Sequence, residues 1–450
     1  MVGDRSGRGD NGMARRSRIA VIVILVMALA VALATAHALS GDGASGPVIR
    51  ALAAPDGGVP LAVDARTGRV FAVFSRSLDP TGYAWMLDAD TGARLRTVPL
   101  GAQPGPIGID PRTGSVYVGN RSDVTIDVLD GRRGTVLCTI SLPDSANPTG
   151  LIMDGQGGRL FVTTTLGVVY TLNPADGRVR GVARVDARDA PTNALAGDER
   201  TGRIFVADFN NGSSTAPGTL SMLDARTGRR LRTVAVGLFP QVVAVDERAN
   251  RVVVLNAGNG APTMTILDAR TGRALHTVPI LFRGMGQPLL ALDARFTHIF
   301  DGETVRDTRT GAPLYRLNAV GGVVEQPIAV TADTRRGRVY IADFDMTPCG
   351  SGLLETTVVH VVDARSGALL RSVAIGSAPT SYSMPPAPVS MAVDPRSGHL
   401  FVSTPGGLEC AADAWSWQPD WLRRWLPFVP APSFRTRDGP PHIVALDLSR

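Results

Sequence analysis

The sequence predicts an all-β fold, a β-propeller of four-stranded antiparallel blades, and three observations predict it. A strand-turn-strand signature, Val-Asp-Ala-Arg-Thr-Gly-Arg-Val-Phe at 63–71, recurs with its aspartate at 64, 110, 154, 198, 246, 293, 333 and 394, spaced by 46, 44, 44, 48, 47, 40 and 61 residues. A second signature, Leu-Asp-Ala-Arg-Thr-Gly-Arg, falls between successive copies with its Asp or Asn at 88, 130, 173, 224, 268, 307 and 363, and begins again at Asp447. The chain also holds 50 Gly and 32 Pro among 450 residues, with only 5 % aromatics, a composition of turns and short strands rather than helices.

Each signature closes a tight hairpin. The aspartate accepts from backbone N–H groups two or three residues on, and the glycine adopts positive φ. The flanking runs, such as Thr-Ile-Asp-Val-Leu at 125–129 and Thr-Met-Thr-Ile-Leu at 263–267, alternate apolar with small polar residues, as strands in a packed sheet do. Two hairpins per unit make a four-stranded sheet. One such sheet cannot bury its faces alone, whereas a ring of them can, so a period near 45 residues reads as a propeller blade.

Eight units predict eight blades. The unit at 287–320 is the most degraded, with the turn Asp293-Ala-Arg-Phe-Thr, which leaves seven as the alternative. The eighth unit stops after its third strand, 443–448, while Val48-Ile49-Arg50-Ala51-Leu52 has the pattern of a missing fourth strand. Pairing these two segments would close the ring and remove two exposed sheet edges.

The N-terminus carries a targeting signal, predicted as one hydrophobic helix. Arg15, Arg16 and Arg18 precede an uncharged apolar run from Ile19 to Ala36, and Ala36-His37-Ala38 has the small-x-small form of a cleavage site. At eighteen residues the run also suffices to span a bilayer. The organisation expected is a basic cytoplasmic segment (1–18), a signal anchor or signal peptide (19–38), a linker (39–46) and the propeller (47–450), with a Trp-rich insertion at 404–441. The positive flank stays inside. The propeller is therefore expected on the outer side of the cytoplasmic membrane behind a single-pass, N-in anchor, or secreted after cleavage following Ala38.

Charge excludes some functions. About half of the formal net charge of +6 sits before residue 39, where five arginines face two aspartates. What remains is not the footprint of a nucleic-acid binder. All 46 basic residues are arginine, so lysine-based Schiff-base catalysis is excluded.

Val-Tyr-Val-Gly-Asn (116–120), Asp-Val-Leu-Asp (127–130) and Thr-Val-Ala-Val-Gly (233–237) leading to Pro240 resemble the YVTN-type propeller repeats of exported bacterial and archaeal proteins. The resemblance runs from about residue 47 to the end of the sequence. It implies the propeller fold, usually with seven blades, and is nearly silent on function.

Function is sought on one face of the disc. The regular Asp-x-x-x-Gly turns fall on one face, and the long connections 75–83, 208–219, 343–356 and 404–441 fall on the other, where irregular loops on a rigid scaffold suit binding. Ten residues after each first aspartate stand Phe74, Asn120, Thr164, Asp208, Asn256, Glu303, Asp343 and Thr404. Of these, Asn120, Asp208, Asn256, Glu303 and Asp343 are the candidate tunnel-mouth ring, able in principle to hold Ca²⁺ or another divalent cation. Strand-end capping is the competing and favoured reading. Trp415, Trp417, Trp421 and Trp425 form a candidate lid or partner patch. Cys349 and Cys410 each lie sixteen residues after their unit's aspartate and are expected to form a disulfide in an oxidising compartment. Cys138 is read as unpaired.

The histidines show no metal-ligand spacing, and no nucleophile-base or phosphate-loop motif stands out. The first reading is thus a binding or scaffolding module, with no resident cofactor, for a protein, glycan or small-molecule ligand. A lactonase-like or quinoprotein-like enzyme with a metal or cofactor at the tunnel is the alternative.

Overall fold

The computed structural model describes residues 48–54, 59–76, 79–154, 158–185, 194–208, 216–258, 261–281, 289–301, 304–317, 327–349, 352–379, 390–404, 408–410, 436–438 and 442–448. Residues 1–47, with the predicted basic segment, hydrophobic helix and linker, lie outside this set, as does most of the Trp-rich insertion. Among the described residues no helix is long and apolar enough to cross a membrane.

Eight four-stranded antiparallel sheets form eight blades. Seven are continuous in sequence, at 61–102, 104–141, 148–184, 194–235, 240–279, 291–316 and 327–379. Blade 8 combines Ser390–Val393, His399–Thr404 and His442–Asp447 with Val48–Ala53 as its outer strand. The closing register runs from Val48 opposite Leu446 to Ala53 opposite His442, the pairing that the sequence pattern requires. First strands neighbour one another in succession, and that of blade 8 neighbours that of blade 1. The degraded unit is a blade, with strands of only three or four residues, so the ring has eight members.

The core lies between blades. Among the described residues there are eight apolar clusters, one at each junction. Phe205, Leu220 and Met222 of blade 4 pack on Val243, Val252 and Val254 of blade 5. At the closing junction, Phe401 and Ile443 pack on Val70 and Phe74. The residue seven places after each first aspartate is Phe71, Tyr117, Phe161, Phe205, Val253, Phe300, Tyr340 or Phe401, all at most 3 % exposed, and each belongs to the cluster shared with the following blade. Full burial of such a side chain is worth roughly 1.5–3 kcal/mol. This position thus contributes one buried residue per blade, aromatic in seven of the eight, to the junction with the next blade. Fourth strands such as Arg230–Ala235 are mostly exposed.

The turns form as their sequence dictates. Asp64 accepts from the Arg66 and Thr67 N–H groups and the Thr67 hydroxyl, while the Gly68 N–H bonds the Asp64 carbonyl at φ +67°. Asn250 and Thr297 hold the same left-handed slot in blades 5 and 6 at φ 58° and 56°. For a threonine that conformation is unfavourable, one reason why unit 6 looks degraded in sequence.

Candidate functional site

In blades 1, 2, 4, 5, 6 and 7 the two turns share one face and touch. The N–H groups of Ala89, Gly131, Ala225 and Ala364, each following a second-turn aspartate, donate to the carbonyls of Gly68, Gly114, Gly202 and Gly337 at 2.9–3.1 Å. The second-strand ends and the connections between blades therefore occupy the opposite, loop face.

The candidate ring sits at the loop-face ends of the second strands, one residue per blade. Asn120 and Asn256 are fully buried, and Asp208 and Asp343 nearly so. Glu303 lies outside the described residues. Among the described residues no three His, Cys, Asp or Glu gather as a metal site.

Asn120, Asn256 and Asp343 each face polar side chains across the second, third and fourth strands of their own blade. In blade 2, Asn120 Nδ2 donates to Asp127 Oδ2 at 2.8 Å and Thr139 Oγ1 donates to Asp127 Oδ1 at 2.6 Å. In blade 5, Asn256 Nδ2 donates to Thr265 Oγ1 at 3.1 Å, and Thr265 meets Thr277 at 3.4 Å. Blade 4 places Asp208 on the strand beside Ser221, whose hydroxyl lies 3.2 Å from that of Thr233. In blade 7, His360 lies 3.8 Å from Asp343 through Nε2 and 2.8 Å from Ser372 Oγ through Nδ1. An Asp-His-Ser order invites a catalytic reading, yet Asn-Asp-Thr and Asn-Thr-Thr occupy the same three positions in blades 2 and 5. A structural ladder accounts for all of them.

The ladders also hold the incoming chain. The Gly101 N–H, at the end of blade 1, donates to Asp127 Oδ2 at 2.9 Å. A Cβ at Gly101 would lie 2.6 Å from Asn120 Nδ2, and one at Gly237 would lie 2.7 Å from the amide of Asn256. The repeated asparagine and the glycine that closes the preceding blade are thus two halves of one contact. Asn120 Oδ1 and Asn256 Oδ1 remain buried without a hydrogen-bond donor. In blades 1 and 3 aromatic residues take over. Phe74 stacks on Tyr83 and lies 4.7 Å from Trp85, and the Tyr170 hydroxyl donates to Asp144 at 2.9 Å.

The tunnel wall offers little chemistry. Inner strands contribute Leu61, Ala62 and Val63; Leu195, Ala196 and Gly197; Val242, Val243, Ala244 and Val245; and Met391, Ala392 and Val393. Thr149, Gln241, Thr331 and Ser390 add polar side chains to the inner strands.

The turn face holds the residues that the sequence reading missed. Two places after the first aspartate stand Arg66, Arg112, Arg200, Arg248, Arg295, Arg335 and Arg396, all exposed, with Gln156 in the third copy instead. They reach the next blade. Arg66 donates to the Thr113 carbonyl, Arg200 to the Glu247 carbonyl at 3.0 Å, and Arg248, Arg295 and Arg335 to the carbonyls of Arg295, Arg335 and Pro395 at 3.4 Å. Arg112 lies against Gly158 of blade 3. Arg396 closes the circle 3.5 Å from Asp90 of blade 1.

The slot five places after the aspartate adds a second set of links. His298 Nδ1 donates to the Ala364 carbonyl at 2.8 Å, His399 Nδ1 to the Ala89 carbonyl at 2.9 Å, and Arg338 to the Leu448 carbonyl. Both histidines must carry the Nδ1 proton, since a carbonyl only accepts. The signal was present in the sequence as a repeated arginine, but it reads as a solvated turn until the neighbouring blade is placed.

Carboxyl groups on this face differ in ionisation. Burial raises Asp246 and Asp293 above the usual carboxylate range. At Asp88, Asp224 and Asp268 burial is outweighed by hydrogen bonds from Thr91, Thr227 and Thr271, and the net shift is downward. Asp130 is lowered chiefly by the Arg133 N–H, and Asp363 by the Ser366 hydroxyl.

Several predicted residues have little or no described environment. Trp415, Trp417, Trp421 and Trp425 lie outside the described residues. Cys349 ends the strand Arg338–Cys349 and Cys410 ends Leu408–Cys410, but their side chains are not among those described. Cys138 is an exposed free thiol.

Comparison with known proteins gives the following matches. The model of the family described as outer membrane protein assembly factor BamB matches residues 81–275. No curated protein matches the chain. Among solved structures, BamB from Moraxella catarrhalis is similar over 79 % of this chain and 96 % of its own, at 16 % identity and a TM-score of 0.49.

Proposed function

We propose that this chain is an exported, membrane-tethered scaffold whose loop face receives a protein partner, as an assembly factor would. The observation that carries the reading is the division of labour between the faces. Side-chain links between blades crowd the turn face, so the ring is a rigid base, and the long connections rise from the opposite face, where variable loops on a fixed scaffold recognise partners. The match of residues 81–275 to an assembly-factor family supports a partner that is protein. The repeat itself is read as YVTN-type, on Val116–Asn120 and on Gly237 and Pro240, because the Asn-Gly contact gives that motif a physical role. The Trp-rich insertion and a Cys349–Cys410 bridge belong to the same proposal as parts of the loop face.

Photocrosslinkers at exposed Arg121 and Ser122 on the loop face, and at Arg132 and Arg365 on the turn face, test this in the native membrane. Protein adducts are expected from the loop-face pair. Adducts of equal yield from the turn-face pair, or from neither, would contradict it. The scaffold reading is preferred to the lactonase-like or quinoprotein-like alternative, which needs a metal or cofactor at the tunnel. A stoichiometric cation or chromophore in the purified chain would reverse that judgement.

A further inference from the structure

Buried and exposed charge are sorted by depth on the turn face. The eight first-turn aspartates are at most 6 % exposed and face inward, while the seven first-turn arginines lie on the surface. The second turns add Arg132, Arg226, Arg270, Arg309 and Arg365, also exposed, and among the described contacts their side chains hold no hydrogen bond. The exposed acids of these turns are Asp90, Asp176 and Glu199. Asp90 and Asp176 already have arginine partners at 3.5 and 3.7 Å. The second-turn aspartates Asp88, Asp130, Asp224, Asp268, Asp307 and Asp363 are half-buried beneath them, so the outermost layer of this face is a ring of guanidinium groups set over recessed carboxylates.

The chain enters the propeller on this same face. Val48 pairs with Leu446, beside the turn aspartate Asp447, and the strand then runs to Ala53 at the loop-face end. A Cβ at Gly92, in the second turn of blade 1, would touch the Arg50 side chain. Ten residues separate the apolar run ending at Ala36 from Pro47, a reach of about 35 Å when fully extended.

We propose that the turn face docks on an anionic phospholipid surface, its arginines on headgroup phosphates, so that the loop face points away from the bilayer. The inference rests on the tethered reading for orientation, but the headgroup contact stands on the arginines alone. Guanidinium groups match phosphate in geometry as well as charge, and each basic residue at an anionic surface contributes about a fivefold gain in binding.

The ring closes within residues 48–448, so residues 47–450 contain every blade and suit a direct test. Sedimentation with phosphatidylcholine vesicles, with and without phosphatidylglycerol, should show binding that requires phosphatidylglycerol and falls as salt is raised. The combined variant Arg226→Gln, Arg270→Gln and Arg309→Gln should bind about a hundredfold more weakly at an unchanged melting temperature. The loop-face variant Arg121→Gln should bind as the parent does. No binding, binding indifferent to phosphatidylglycerol, or equal weakening by Arg121→Gln would overturn the proposal. Alkaline extraction of the full chain reports separately on the tether: release would remove the anchor while leaving the vesicle result to decide the face.

Discussion

The two faces of this ring spend their polar side chains differently. On the turn face, Arg200, Arg248, Arg295 and His298 reach backbone carbonyls of the next blade. On the loop face, Asn120, Asn256 and His360 bond across their own blade, and among the described residues links to a neighbouring blade are fewer, as where the Gly101 N–H meets Asp127 and where the Leu61 N–H donates to Ser390 Oγ of blade 8. One face joins blades, and the other finishes them. A propeller built this way can vary its loops without loosening its ring.

The largest break in this comparison is removal of Val48–Ala53. It opens blade 8 and exposes an edge in the middle of the closing junction, so circular dichroism should lose its single cooperative melt. A variant that melts like the parent would mean that closure contributes nothing. Next comes the core that both faces share. Phe205→Ala should cost about 3–5 kcal/mol in denaturant unfolding, whereas Leu231→Ala, on an exposed outer strand, should stay within about 0.5 kcal/mol.

Smaller effects separate the faces. Asn256→Ala should cost about 1–3 kcal/mol, because its loss leaves the buried hydroxyl of Thr265 and the half-buried one of Thr263 without that partner. Arg295→Gln should cost only about 0.5 kcal/mol, as exposed single links do. Equal costs would erase the contrast.

Acidity gives the gentlest test. The lowered second-turn aspartates contribute stability that is present above their unfolded value of 3.8 and is lost as pH falls through their depressed folded values. The raised Asp246 and Asp293 act oppositely, and their burden is relieved as pH falls through their elevated values. Asp224→Asn should therefore flatten the acid loss of stability below about pH 4, while Asp293→Asn should stabilise at neutral pH by removing a buried charge.

The fold was legible because its unit is local. An aspartate, a glycine and an alternating strand specify a hairpin without help from elsewhere, and a period near 45 residues then specifies the ring. Even the closing strand was readable, since Val48–Leu52 carried the pattern that blade 8 lacked. The candidate site was legible only in part. Asn120 and Asn256 stood out by position, but their ladder partners Asp127, Thr139, Thr265 and Thr277 lie on other strands and show no motif of their own. The arginine two places after the aspartate was visible in seven copies, yet its role depends on a neighbour about 45 residues away. His298 and His399 illustrate the same limit. By position in the repeat they replace Arg69 in a turn, and the structure makes them links to the next blade.

Native-state hydrogen exchange on the intact chain tests the contrast most directly. The turn-to-turn N–H groups of Ala89, Ala225 and Ala364 should exchange only through global unfolding. The loop-face N–H groups of Arg121, Thr165 and Ala257, which bond the carbonyls of Gln103, Asn147 and Phe239, should exchange through smaller local openings. Equal protection of the two sets, or stronger protection on the loop face, would contradict the assignment of the turn face as the part that holds the ring together.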